Sequence, residues 1–126
     1  MIDDPAPKPL IWVGASQRDF GDFADDVKSE MGYALYVAQC GGRHRKARAL
    51  KGYGGAGVIE IVEDHRGDTF RTVYTVRMPS AVYVLHAFQK KSKAGIATPL
   101  PELRLIEQRL RDARRLHEEQ DNDNSH

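Results

Sequence analysis

Hydrophobic and polar residues fall in blocks along this chain, and the period within each block predicts an element. Residues 1–8, with Pro5 and Pro7, read as an extended lead-in. Leu10-Ile11-Trp12-Val13 is a short apolar run suited to a strand. Phe20, Phe23, Ala24, Val27 and Met31 then recur at helical spacing, with Asp22, Asp25, Asp26 and Lys28 on the opposite face. Ser16 followed by Asp19 resembles a capping box at the start of this helix. Gly32 is expected to interrupt it, a second helical stretch runs from Tyr33 to Gln39, and Gly41-Gly42 ends that stretch. Arg43 to Lys51 is basic without a clear period and reads as an ordered loop, followed by a glycine-rich turn around Tyr53. Val58–Glu63, Thr69–Arg77 and Ala81–Phe88 read as strands, and the short connections between them predict an antiparallel meander. Pro99-Leu100-Pro101-Glu102 opens a last helix, with Leu103, Ile106, Leu110 and Leu116 on its apolar face and arginines solvating the rest. Residues 118–126 are hydrophilic and acidic and are expected to form a disordered tail. The order strand, helix, helix, three strands, helix predicts one α+β domain over residues 9–117.

Composition narrows the class. A chain of 126 residues buries a core without disulfides or structural metal. No apolar run approaches the roughly 20 residues that span a bilayer, so no membrane partner is expected. The acidic start Met1 to Pro5 lacks the basic and apolar regions of a signal peptide. Cys40 is the single cysteine, which fits a reducing cytoplasm. The net charge of +1 hides an asymmetry: Arg43 to Lys93 holds eleven Lys or Arg against four acids. A basic centre with an acidic end points to a polyanionic partner, against the plainer reading of a solvated basic surface.

Two chemistries are set aside. His44, His65 and His86 have no cysteine or second histidine at ligand spacing, so no metal is expected. The glycine-rich run lacks Gly-Lys-Ser/Thr and does not lead from a strand into a helix, so no nucleotide cofactor is expected.

Three strings carry a family resemblance: Leu50 to Ile61 (LKGYGGAGVIEI), Phe70-Arg71-Thr72-Val73-Tyr74, and Val84 to Lys93 (VLHAFQKKSK), with Gly95 to Pro99 following the same pattern. With the element order they resemble the RelE/ParE superfamily of type II toxins, in its phage-derived HigB-like branch, from about Pro9 to Leu116. The resemblance implies a RelE-like fold, a small twisted, mainly antiparallel sheet with N-terminal helices packed on it and a C-terminal helix. It implies a toxin that binds the ribosomal A site and cleaves mRNA there without metal, and a cognate helix-turn-helix antitoxin as partner. Operator DNA would be bound only by the toxin–antitoxin complex. The ParE side of the superfamily implies instead a non-catalytic toxin acting on gyrase. A third reading is a phage regulator that acts only through its antitoxin.

Metal-free RNA cleavage needs cations on the scissile phosphate, a base for the 2′-OH and in-line geometry. Arg71 is the candidate clamp, because its planar fork holds two phosphate oxygens at once. The alternative is an arginine paired with a carboxylate, for which Glu60 is the candidate. Lys91 matches a basic catalytic position of the RelE pattern. The pattern's two lysines before the clamp are missing, since Val58-Ile59-Glu60-Ile61 stands there, and its tyrosine is missing around Gly95 to Pro99. Glu60, Tyr74 and His86 are therefore catalytic candidates by chemistry only, with His86 also readable as a satisfied core histidine. Arg43, Arg45, Lys46, Arg48, Lys51, Lys90 and Lys93 are candidates for RNA phosphates, and Phe88 for base stacking. The basic loop also suits antitoxin docking.

Overall fold

The computed structural model describes residues 6–53, 55, 57–90 and 98–124. Five strands form one sheet in the order β1-β5-β4-β3-β2. They are β1 (Leu10–Trp12), β2 (Ala47–Ala49), β3 (Val58–His65), β4 (Asp68–Thr75) and β5 (Val82–Lys90). Helices α1 (Ser16–Gly21) and α2 (Asp25–Gln39) follow β1, and α3 (Leu100–Asn124) ends the chain.

The meander is present as expected. β3 and β4 are joined by a two-residue turn in which Arg66 (φ 52°) and Gly67 (φ 86°) both take left-handed conformations. That turn matches the right-handed twist of the strands it joins. The expected mainly antiparallel sheet is observed, with β1 paired parallel to β5 through Leu10–Val82, Ile11–Tyr83 and Trp12–Val84.

Several boundaries differ from expectation. The N-terminal helix breaks at Asp22–Ala24 rather than at Gly32. Ala24 is extended (φ −57°, ψ 146°), and the turn lets Phe20 and Phe23 pack together before Phe23 meets Phe70 edge-on at 4.9 Å. Helix α2 runs straight through Gly32, whose cost of about 1 kcal/mol is offset by the burial of Val27, Met31, Ala34, Leu35 and Ala38. Ser16 does not cap its helix; its hydroxyl donates to the carbonyl of Val84 at 3.1 Å and ties α1 to β5. The basic stretch expected as a loop contains β2, paired antiparallel to β3 through Arg48–Glu60. Helix α3 continues to Asn124 over residues expected to be unstructured, because Glu118, Glu119 and Gln120 favour helix and no Gly or Pro intervenes.

Helices pack on both faces of the sheet. Residues Ile59, Ile61, Phe70, Tyr74 and Val84 pack under α2 and the Phe20–Phe23 turn. On the opposite face Val58, Val73, Tyr83 and Leu85 meet Ile106, Leu110 and Ala113 of α3. Val73 and Val84 therefore belong to different cores. Among the described residues no helix is long and apolar enough to cross a membrane.

Candidate functional site

Side chains alternate along a strand, so the face that carries Val73 also carries Arg71 two residues earlier. Glu60 of β3 and Arg48 of β2 reach the same face, beside Leu103 of α3. Arg71 is 3% exposed, and its Nη1 donates to Glu60 Oε1 at 3.1 Å and Oε2 at 3.2 Å. Arg48 Nε donates to Glu60 Oε1 at 2.8 Å from a side chain that is 57% exposed. One buried carboxylate thus bridges two guanidinium groups from two strands. The array opens into a cavity of about 410 Å³ also lined by Lys51, Thr98 and Leu103. A buried ion pair of this kind is costly to break from either side, because the remaining charge stays in low dielectric.

Phe88 lies opposite Arg71 across β4 and β5, and Lys90 lies opposite Thr69. Alternation places both on the Arg71 face. A register shift between Val73 and Tyr74 marks a bulge in β5. The extra residue brings His86 to the α3 face, where it stacks on Phe88 with ring centroids 5.0 Å apart. His86 is held there from both sides. Arg109 Nη1 lies 3.0 Å from His86 Nδ1 and donates to the Leu85 carbonyl at 3.0 Å, while His86 Nε2 is hydrogen-bonded to Glu102. An arginine can only donate, so Nδ1 accepts and the proton sits on Nε2, facing the carboxylate. Burial lowers the pKa of His86, and the hydrogen bond to Glu102 opposes that shift without cancelling it. His86 is therefore a neutral histidine that ties α3 to the sheet.

Tyr74 is not brought to this site. It lies one residue out of phase with Val73, under α2, and burial pushes its pKa up to about 12. It lines a separate cavity of about 350 Å³ with Lys8, Gly41, Gly42 and Arg43. The basic stretch divides in the same way. Arg48 and Lys51 face the Arg71 cavity, whereas Arg43 sits by Tyr74. Lys46 donates to Glu63 Oε2 at 2.6 Å and lies 3.7 Å from Glu30 of α2; the bond to Glu63 raises its pKa. Arg45 is exposed. Lys91 and Lys93 lie outside the described residues.

Two residues beside the site were not singled out from sequence. Arg109, read among the solvated arginines of α3, is buried, with its guanidinium against Gly14. Gly14 has φ +57°, and a Cβ there would come within 2.9 Å of Arg109 Nε, so only glycine leaves room for that side chain. The signal was present, since Arg109 falls three residues after Ile106 on the apolar face. Tyr53 hydrogen-bonds Glu107 and pins the glycine-rich turn to α3.

The described residues form one α+β domain with a carboxylate-bridged pair of arginines beside a cavity. The model of the family described as phage derived protein Gp49-like (DUF891) matches residues 18–111, and the chain belongs to that family. The matched span contains α2, the whole meander and every residue of the Arg48–Glu60–Arg71 array. No curated protein matches the chain. Among solved structures it is similar to a chain of the toxin–antitoxin complex RelBE2 from Mycobacterium tuberculosis, at 17% identity and a TM-score of 0.44, over 71% of this chain and 100% of that one.

Proposed function

We propose that this protein is the toxin of a type II toxin–antitoxin pair, a ribosome-dependent endoribonuclease whose reaction centre is the Arg48–Glu60–Arg71 array. The observation that carries this reading is the pair of arginines converging on one buried carboxylate at the wall of an open cavity. In this scheme a scissile phosphate enters the cavity, and Arg71 and Arg48 donate to its non-bridging oxygens. Those bonds strengthen as charge builds on the oxygens, so they favour the transition state over the bound substrate. Glu60, released from its arginines by the competing phosphate, accepts the proton of the attacking 2′-OH. The 2′-oxygen forms a bond to phosphorus, the bond from phosphorus to the 5′-oxygen of the next nucleotide breaks, and that oxygen takes a proton from water, leaving a 2′,3′-cyclic phosphate and a 5′-hydroxyl. Lys51 and Lys90 contribute charge to the adjacent RNA backbone, and Phe88 offers a face for a base.

One observation favours a second reading. Arg71 already has a carboxylate as partner, which suits a structural ion pair in a non-catalytic toxin that binds a protein such as gyrase. Induced expression with mapping of transcript 5′ ends separates the two. The nuclease reading expects cuts confined to translated regions. Intact transcripts with arrested replication would support the second reading instead.

A further inference from the structure

We propose that the cavity between the end of α2 and the sheet binds a small phosphate monoester, held by Lys8, Arg43 and the hydroxyl of Tyr74. Tyr74 lies on the sheet face opposite to Arg71, so this site stands apart from the nuclease reading.

The first observation is a buried donor with nothing to bond. Tyr74 is 1% exposed, and among the described residues its hydroxyl has no hydrogen-bond partner. A buried hydroxyl left unpaired is costly, and a ligand that accepts its hydrogen bond removes that cost. Tyr74 lines the cavity of about 350 Å³, which is the size of a small-molecule site. Burial pushes its pKa up to about 12, and the nearby Arg43 opposes that shift only in part. The phenol therefore keeps its proton at neutral pH and donates it to an acceptor.

The second observation is charge. Lys8 and Arg43 line the same cavity and no acidic residue does. Among the described residues neither cation is in an ion pair. Their neighbours in the basic stretch differ, since Glu63 holds Lys46 and Glu60 holds Arg48.

The third observation is that the backbone fixes both cations. Lys8 N donates to the Gln39 carbonyl at 2.9 Å, and Gln39 Nε2 donates back to the Lys8 carbonyl at 2.8 Å. Gly41, in a left-handed conformation (φ 90°), turns the chain after α2 and brings Arg43 to the cavity. The last four carbonyls of α2, those of Tyr36, Val37, Ala38 and Gln39, all accept backbone N–H groups. The helix end thus leaves no unpaired carbonyl to repel an anion.

The three donors come from three segments of the chain, and two of them are cations. A phosphate monoester matches them with three acceptor oxygens and a charge of about −1.5 to −2 at pH 7. A carboxylate offers two oxygens in one plane and a single charge. Ala38, Ile59 and Val76 also line the cavity and give the organic part of the ester an apolar wall.

The test titrates the full chain with phenyl phosphate, benzoate and hexauridylate while its backbone amides are followed by NMR. Phenyl phosphate is expected to shift the amides of Lys8, Gly41, Gly42 and Arg43. Tyr74→Phe, which removes the hydroxyl alone, is expected to weaken that binding about tenfold, and so are Arg43→Ala and Lys8→Ala. Arg45→Ala, at an exposed cation that does not line the cavity, is expected to leave it unchanged. Circular dichroism checks the fold of each variant, and if Tyr74→Phe does not fold, the two cation variants decide. A folded Tyr74→Phe protein that binds at the parental affinity would overturn the site. Equal losses in Arg43→Ala and Arg45→Ala would reduce the effect to loose charge attraction and overturn it as well. Benzoate binding as tightly as phenyl phosphate would overturn the ligand class. Hexauridylate shifting these amides where phenyl phosphate does not would assign the surface to RNA and overturn the proposal, as would no binding by any probe.

Discussion

Arg71 and Glu60 show what a single residue's environment does to its reading. Of the roles offered for them from sequence, the ion-pair role is the one that places them in contact, and they meet diagonally across β3 and β4, where Arg71 lies opposite Val62 and Glu60 opposite Val73. Arg71→Ala leaves the buried Glu60 carboxylate with one partner fewer, so it is expected to cost about 3–5 kcal/mol in a denaturant titration. Arg71→Lys keeps a cation beside Glu60 and is expected to stay folded, which makes it the sharper probe of chemistry. Tyr74 lies on the face opposite to Arg71 for a simple reason: adjacent strand residues point to opposite faces, and Tyr74 follows Val73. His86 reaches the Arg71 face through a bulge in β5 that no residue pattern announces. Its lowered pKa sets a sign for pH dependence. The unfolded chain takes up this proton near pH 6.5, while the folded protein resists it to lower pH. The stabilising contribution is therefore fully present above pH 6.5 and is lost as the pH falls toward the depressed folded value. A melting series from pH 7.5 to 5.5 is expected to show a fall in Tm that is smaller in His86→Gln. An equal fall in both proteins would remove His86 as its source.

At the scale of elements, the long periodic segments were legible and the short ones were not. The helical face of Val27, Met31 and Leu35 is the face that packs on the sheet, and the three meander strands sit where alternation and turn residues put them. Strand β2 was missed because three residues carry no readable period, and its strand character comes from pairing with β3 rather than from Ala47, Arg48 and Ala49 themselves. The α1–α2 break is also tertiary in origin, since it serves the Phe20–Phe23–Phe70 contacts. Phe23→Ala is accordingly expected to cost about 3–5 kcal/mol by chemical denaturation; a change under 1 kcal/mol would show that this turn does not anchor the helices. The end of α3 behaves differently. His117 hydrogen-bonds Ser80 and lies edge-on to Tyr83, whereas Glu118, Glu119 and Gln120 are exposed. The two glutamates also sit toward the negative end of the helix dipole. Truncation after His117 is expected to leave Tm nearly unchanged, and a loss of several degrees would mean that the last turns pack.

For the whole molecule, the α+β class follows from element order, while the placement of helices on both sheet faces does not. Periodicity tells which side of a helix is apolar but not which face of a sheet it covers. That placement builds the cavity, because α3 packs on the face that carries Val58, Val73, Tyr83 and Leu85 and brings Leu103 to the cavity wall beside Arg48, Glu60 and Arg71. The charge asymmetry seen in the sequence divides in space: Arg48 and Lys51 border the cavity, Arg43 lines a separate one, and Glu118 and Glu119 are exposed on the last turns of α3. The phage-derived branch named from the strings around Tyr53, Arg71 and Phe88 agrees with the family match over residues 18–111. The most direct test of the central claim is single-turnover cleavage of mRNA on programmed ribosomes by the parental protein and Arg71→Lys, with circular dichroism confirming that both are folded. The account predicts cleavage by the parental protein and a rate about a hundred- to thousand-fold lower for the folded Arg71→Lys variant. A folded Arg71→Lys protein that cuts at the parental rate would contradict it.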